Sequence, residues 1–155
     1  MDIISCTERH LEKCSSLLAQ VYSEPEYGEK WNERDALIYL HRFYKIEPSG
    51  CFVAYLNNEV VGAIFSYSYP WQSETLVYIQ ELFVSSKQRK KGIAKSLMQS
   101  VGKGKTIKAW LIAKENTSAS GFYQKMGFKK DSPYKFNYGE IKSIALGWDI
   151  ARPNS

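Results

Sequence analysis

The sequence predicts an α/β domain in which helices cover a sheet, and three observations carry that expectation. The run "LVYIQELFV", residues 76–84, is nearly all apolar or aromatic, and a strand of that kind needs cover on both faces. After it, Ile93, Leu97, Met98 and Val101 recur at helical spacing. A further strand pattern, "TIKAWLIA" at 106–113, follows that helix, so residues 76–112 read as a β-α-β crossover.

The remaining elements follow in chain order. "DIIS" at the start reads as a short strand, and Leu11, Cys14, Leu17, Leu18 and Val21 mark a helix over Leu11–Tyr22. "SEPEYGEKWNE", residues 23–33, breaks that period with Pro25 and Gly28 and is a loop. A second helix is expected over residues 33–44 with Asn32 as its cap, ended by "EPSG". "CFVAYL" and "VVGAIFSYSY" flank "NNE", whose asparagines tolerate the positive φ of a tight hairpin. "PWQSE" turns the chain into the apolar strand, "GKGK" stops the next helix, and "SASGFYQKMG" is a short helix closed by Gly127. "FKKDSPYKFN" and "SIALGWDI" complete the sheet. The predicted order is β-α-α-β-β-β-α-β-α-β-β in one domain over residues 1–155.

Composition narrows the function classes. A hydrophobic fraction of 44% and an aromatic fraction of 14% are those of a globular chain. No apolar run approaches the ~20 residues of a membrane span, and "MDIISCTERH" lacks the basic-then-apolar plan of a signal peptide. Cys6, Cys14 and Cys51 are odd in number and widely spaced, matching neither a disulfide framework nor a zinc site. Reduced thiols in the cytoplasm are the simplest account, and no metal is expected. The net charge of +5 suggests an anionic partner, a phosphorylated cofactor or nucleic acid. The basic residues gather at one loop instead of along an aromatic-interleaved face, which argues against nucleic acid.

That loop is "QRKKGIAKSL", residues 88–97, where Arg89, Lys90, Lys91 and Lys95 surround Gly92. A solvated charge run is one reading. The other is a phosphate cradle: unpaired N–H groups at a helix N-terminus, close backbone approach at glycine, and cations beside it. A second phosphate motif is excluded. "GKGKT" at 102–106 resembles the end of a P-loop, but Gln99 stands where the first glycine is required, and the flanking elements are in the wrong order.

The stretch "IQELFVSSKQRKKGIAKSLM" resembles the acetyl-CoA-binding motif of the GNAT family of N-acetyltransferases, Q/R-x-x-G-x-G/A, at Arg89-Lys90-Lys91-Gly92-Ile93-Ala94. Downstream, "NTSASGFYQKMGF" resembles the second family motif at Asn116, Ala119, Phe122, Tyr123, Lys125, Gly127 and Phe128. The two motifs stand in order, separated by one strand. The resemblance implies a mostly antiparallel central sheet flanked by helices and an enzyme that takes acetyl groups from acetyl-CoA.

It also implies roles for individual residues. Backbone N–H groups of Lys90, Lys91, Gly92, Ile93, Ala94 and Lys95 would hold the coenzyme A diphosphate, with Arg89 and the lysines adding charge. The N–H of Leu82 would face the thioester carbonyl, while the backbone of Phe83, Val84 and Ser85 holds the pantetheine arm. Tyr123 would protonate the leaving thiolate, since a phenol of pKa ~10 keeps its proton at neutral pH; its other reading is a packing residue. Asn116 contacts the coenzyme or caps the following helix. Glu81 is the candidate base or a partner for a neighbouring lysine. His10 and His41 fall outside the motifs, and no Ser-His-Asp or Cys-His arrangement supports an acyl-enzyme, so direct transfer in a ternary complex is expected.

The acceptor is expected to be a small cationic amine, aminoglycoside or polyamine-like. The loop "YSEPEYGEKWNE" offers Tyr22, Glu26, Tyr27, Glu29 and Trp31, and "YSYPWQSE" offers Trp71; carboxylates beside aromatic faces attract ammonium groups. Protein amino groups are the alternative acceptor, and a non-catalytic acetyl-CoA-binding or nucleic-acid-binding domain the alternative function. Neither nucleic acid nor membrane is an expected partner, and a homodimer is compatible with the sequence.

Overall fold

The computed structural model describes residues 1–114, 116–131, 136–144 and 147–151. Its strands are β1 (Asp2–Ser5), β2 (Cys51–Leu56), β3 (Glu59–Trp71), β4 (Glu74–Val84), β5 (Ile107–Ile112), β6 (Lys129–Asp131), β7 (Phe136–Ile144) and β8 (Gly147–Ala151). Its helices are α1 (Leu11–Tyr22), α2 (Glu33–Ile46), α3 (Ile93–Gly102) and α4 (Ser118–Lys125). The strands form one sheet in the order β1-β2-β3-β4-β5-β7-β6, with β8 on β7. Among the described pairs, β4 and β5 run parallel and the others antiparallel.

The local signals work as their chemistry requires. Asn57 and Asn58 take φ of 51° and 62° in the β2–β3 hairpin. Asn32 caps α2 by accepting from the Asp35 N–H at 2.8 Å. The "GKGKT" segment leaves α3 through Lys103 and Gly104, at φ 52° and 86°, and enters β5, which is helix-to-strand as expected.

Two corrections concern the edges of elements. Helix α2 runs on to Ile46, one half-turn past its expected end. The C-terminal region holds three strands where two were expected, because "YGEIK" joins β7. Gly139 and its charged neighbours weaken that stretch as a strand by propensity, yet β7 gains partners on both edges. Gly139 also has a packing reason: a Cβ there would come within 2.8 Å of the Phe128 ring. Residues 132–135 of "FKKDSPYKFN" and 145–146 of "SIALGWDI" lie outside the described residues.

The sheet separates two cores. Helices α3 and α4 cover one face, where Ile93, Leu97, Met98 and Tyr123 pack on Val77, Ile79, Ala109 and Leu111. Helices α1 and α2 cover the other, where Leu11, Leu17, Leu18, Ala36 and Leu40 pack on Val53, Ala63, Phe65 and Phe83. The cysteines Cys6, Cys14 and Cys51 are buried with free thiols in this second core. Among the described residues, no helix is long and apolar enough to cross a membrane, and no three metal-ligating side chains cluster.

Candidate active site

The site begins with an irregularity in the middle of β4. Phe65 of β3 faces Glu81, but the next residue, Ser66, faces Ile79, so Gln80 is an extra residue. A one-residue bulge inverts the faces of everything beyond it. Val77 and Ile79 accordingly point into the α3/α4 core, whereas Phe83, of the same parity, points into the α1/α2 core. Glu81 goes with Phe83 and meets α2, where Tyr39 donates its hydroxyl to the carboxylate at 2.6 Å.

The same strand then parts from its parallel neighbour. Pairing of β4 with β5 ends at Ile79 opposite Leu111, while β4 stays paired with β3 as far as Val84. The Ser85 N–H donates to the Val61 carbonyl at 2.8 Å. Antiparallel strands alternate hydrogen-bonded and unbonded pairs, so the N–H groups of Leu82 and Val84 turn away from β3. They point into the opening between β4 and β5. The Leu82 carbonyl, turned the same way, accepts from the Tyr22 hydroxyl at 3.4 Å.

Beyond β4 the chain curls into α3. Lys90 and Gly92 both take left-handed backbone, φ 64° and 77°, and Gly92 is the N-cap. A Cβ at Gly92 would meet nothing within 4 Å, so the space over this turn is open. The first intrahelical bond runs from the Ser96 N–H to the Gly92 carbonyl at 3.0 Å. The amides of Ile93, Ala94 and Lys95 therefore have no partner within the helix, and cations stand around them.

These parts share one cavity of about 430 Å³. At one end it is lined by Arg89, Lys90, Gly92, Ile93, Ala94 and Lys95, along its length by Leu82, Phe83 and Val84, and at the far end by Tyr22, Tyr27 and Tyr123. A second cavity of about 120 Å³ meets it at Tyr22, Tyr27, Leu82 and Tyr123, and is walled by Glu29, Gln80, Glu81 and Lys114. Tyr123, 4% exposed, borders both. Its hydroxyl has no hydrogen-bond partner among the described residues, a costly state for a buried polar group unless a ligand completes it. Burial, then the nearby Glu81 charge, pushes its pKa up, so it holds its proton throughout the neutral range.

Glu81 faces the smaller cavity. Loss of hydration pushes its pKa up to about 7, against the hydroxyls of Tyr39 and then Tyr22, which favour the ionised form. That value suits a group that must take and release protons near neutrality. Of its two expected readings, the base and the lysine partner, the second fails: its neighbours are tyrosines.

The structure does not gather every expected residue. Ser85 and Lys91 line neither cavity; the Ser85 N–H is held by Val61, and Lys91 donates to Gln88 Oε1 at 2.9 Å. Arg89 borders the cavity but pairs with Glu24 at 2.6 Å and Glu26 at 3.8 Å. Asn116 is exposed at φ 59° and lines neither cavity; the cap of α4 is Thr117, which accepts from the Ser120 N–H. Of the expected acceptor residues, Tyr22, Tyr27 and Glu29 wall the cavities. Glu26 does not, because its carboxylate accepts from the Ser118 N–H and from Ser118 Oγ at 2.8 Å, which holds its pKa down. Trp31 donates to Glu29 Oε1 at 2.7 Å and packs on Tyr39. Trp71 is half exposed at the hairpin tip, at the opposite end of β4.

Sequence reasoning missed Tyr39, Gln80 and Lys114. Lys114 fixes the loop between α1 and α2 by donating to the Tyr27 carbonyl at 2.8 Å. A partial signal for Tyr39 existed: it lies on the inward stripe of α2 with Ala36, Leu40 and Tyr44, where a hydroxyl needs a partner.

Comparison with known proteins agrees with this fold. The acetyltransferase (GNAT) family model matches residues 16–128. A protein from Pyrococcus horikoshii OT3, PH1933, is 25% identical, superimposes with a TM-score of 0.68, and covers 99% of each chain. PaiA N-acetyltransferase from Thermoplasma acidophilum, solved with coenzyme A, is 16% identical with a TM-score of 0.64, over 92% of this chain and 98% of that one. Naa50 from Arabidopsis thaliana, solved with the bisubstrate analogue CoA-Ac-MVNAL, is 20% identical with a TM-score of 0.61, over 92% and 98%. No curated protein sequence matches the chain. With the family matched across most of its length, and with a phosphate-ready helix end leading to a buried, unpartnered phenol, the chain belongs to the GNAT family of acetyl-CoA-dependent N-acetyltransferases.

Proposed function

We propose that the enzyme acetylates a primary amine carried on a slim cationic arm, the polyamine-like end of the small-amine class. The observation that carries this reading is the 120 Å³ cavity walled by Glu29, Glu81, Tyr22 and Tyr27. It is the smaller of the two adjoining cavities, about 120 Å³ against about 430 Å³, which suits an aminoalkyl chain better than an aminoglycoside ring. Two carboxylates with aromatic walls favour an ammonium over a neutral amine.

Acetyl-CoA supplies the activated acetyl group as a thioester. Its diphosphate fits the free amides of Ile93, Ala94 and Lys95, and its pantetheine arm fits the opening edged by the Leu82 and Val84 N–H groups. Glu81 accepts the proton that the ammonium must lose before nitrogen can attack. The Leu82 N–H stands ready to receive charge developing on the carbonyl oxygen. Tyr123 gives its proton to the departing sulfur, and the proton held on Glu81 restores the phenol through solvent. The three buried thiols suit a reducing compartment, and we place the protein in the cytoplasm.

Protein amino groups are the second reading, favoured by the likeness to Naa50, which was solved with a peptide-bearing analogue. Thiol release from acetyl-CoA against a panel of linear polyamines, aminoglycosides, peptide α-amines and neutral amines separates the two. Linear polyamines are expected to give the highest kcat/KM, with a KM that rises several-fold with salt because partly exposed charges are screened within ~8–10 Å. A panel led by neutral peptides would contradict the reading.

A further inference from the structure

The catalytic strand alone does not fix the candidate base. We infer that Tyr39, on α2, is a positioning residue that sets the orientation and the working protonation state of Glu81. The inference rests on the reading of Glu81 as the base. Its geometry is a short relay across the sheet face: Gln80 Nε2 donates to the Tyr39 hydroxyl at 2.8 Å, and that hydroxyl donates to Glu81 Oε2 at 2.6 Å. The Gln80 bulge makes the relay possible, since adjacent residues of a regular strand point to opposite faces. Here both side chains reach one phenol.

The phenol is itself held in place. Trp31 packs against one part of the Tyr39 ring at a centroid distance of 5.1 Å and Phe43 against another at 5.0 Å. With Gln80 donating to it, the Tyr39 oxygen has its acceptor site filled and its proton directed at Glu81. Burial pushes the Tyr39 pKa up, so it donates a proton and does not compete as an anion. The ionised carboxylate accepts that hydrogen bond more strongly than the neutral acid does, which favours the form a base needs.

Other groups also face Glu81. Tyr22 from α1 favours its ionised form, and the Glu29 charge from the α1–α2 loop opposes it. Tyr123 from α4, Tyr27 from that same loop and Lys114 after β5 border the shared cavity, and Tyr78 precedes it on β4. Tyr22 shares its hydroxyl with the Leu82 carbonyl at 3.4 Å, so Tyr39, at 2.6 Å, is the committed donor to Glu81.

The test is the pH profile of kcat/KM for acetyl transfer in Tyr39→Phe, with Glu81→Gln as the reference. Wild-type activity falls as pH drops through the Glu81 pKa. Removing a donor that favours the ionised form raises that pKa, so the Tyr39→Phe limb moves to higher pH by about one unit. Activity is then about tenfold below wild type near pH 6 and close to it near pH 9. A 13C-carboxyl NMR titration of the protein without substrates reads the same shift independently of turnover, with Glu81 assigned from its absence in Glu81→Gln. Superimposable wild-type and Tyr39→Phe profiles, with Glu81→Gln still abolishing the limb, would overturn the role of Tyr39. A Glu81→Gln enzyme with wild-type rate and limb would overturn the base itself.

Discussion

Tyr123 and Glu81 both line the smaller cavity, and the proposed function gives them complementary duties. Tyr123 is buried and Glu81 half-buried at the cavity wall, and the charged form of each is disfavoured. For the phenol this secures a proton to donate; for the carboxylate it brings the pKa up to about 7, where a proton can be both taken and released. Replacing Tyr123 by Phe keeps the ring contacts with Phe122 and Phe128 and removes the unpartnered hydroxyl alone. The expected result is a kcat about 10²-fold lower with acetyl-CoA affinity, read by calorimetry, nearly unchanged. An unchanged kcat under conditions where chemistry limits the rate would leave Tyr123 a packing residue.

The same scale shows what a sequence can and cannot disclose. That Glu81, Leu82 and Tyr123 line the cavities was legible because each lies in or beside a segment whose backbone geometry is local. Glu26 was not, because its carboxylate is engaged by Ser118, 92 residues away. Tyr39 meets Glu81 across 42 residues, and nothing near it in the chain announces that partner. Trp71 looked like a wall of the acceptor site, but the direction of a long hairpin carries it to the other end of the sheet.

Among the elements, β4 and the start of α3 do most to shape the site. The helix was readable from its apolar spacing and its glycine, and the β-α-β crossover from the order of patterns. The position of the bulge at Gln80 is set by pairing with β3, and a continuous apolar run conceals which residue is extra. β7 was only partly legible for the same kind of reason: its pairing on both edges outweighs the weak propensity around Gly139. Gly92 offers the element-scale test. Its φ of 77° and open surroundings allow glycine where a side chain would be strained and would enter the cradle. Gly92→Glu is expected to abolish acetyl-CoA binding in calorimetry, through strain and through a carboxylate in a field built for phosphate. Gly92→Ala, which adds the strain alone, should weaken binding less. Wild-type affinity in Gly92→Glu would show that the cradle lies elsewhere.

At the scale of the whole molecule, the fold brings three segments to one place. The α1–α2 loop reaches over to the glycine loop through Glu24 and Glu26 on Arg89, and to α4 through Glu26 on Ser118. The opened strand pair lies beneath, with the larger cavity on the cofactor side and the smaller on the base side. We take these two cavities to be consecutive parts of one reaction path meeting at Tyr123. A crystal structure with coenzyme A tests it most directly. The diphosphate should rest on the amides of Ile93, Ala94 and Lys95, the pantetheine arm should lie between β4 and β5, and the sulfur should come within ~3–3.5 Å of the Tyr123 hydroxyl. A coenzyme bound outside the β4–β5 opening, or one whose sulfur is remote from both Tyr123 and Glu81, would contradict it.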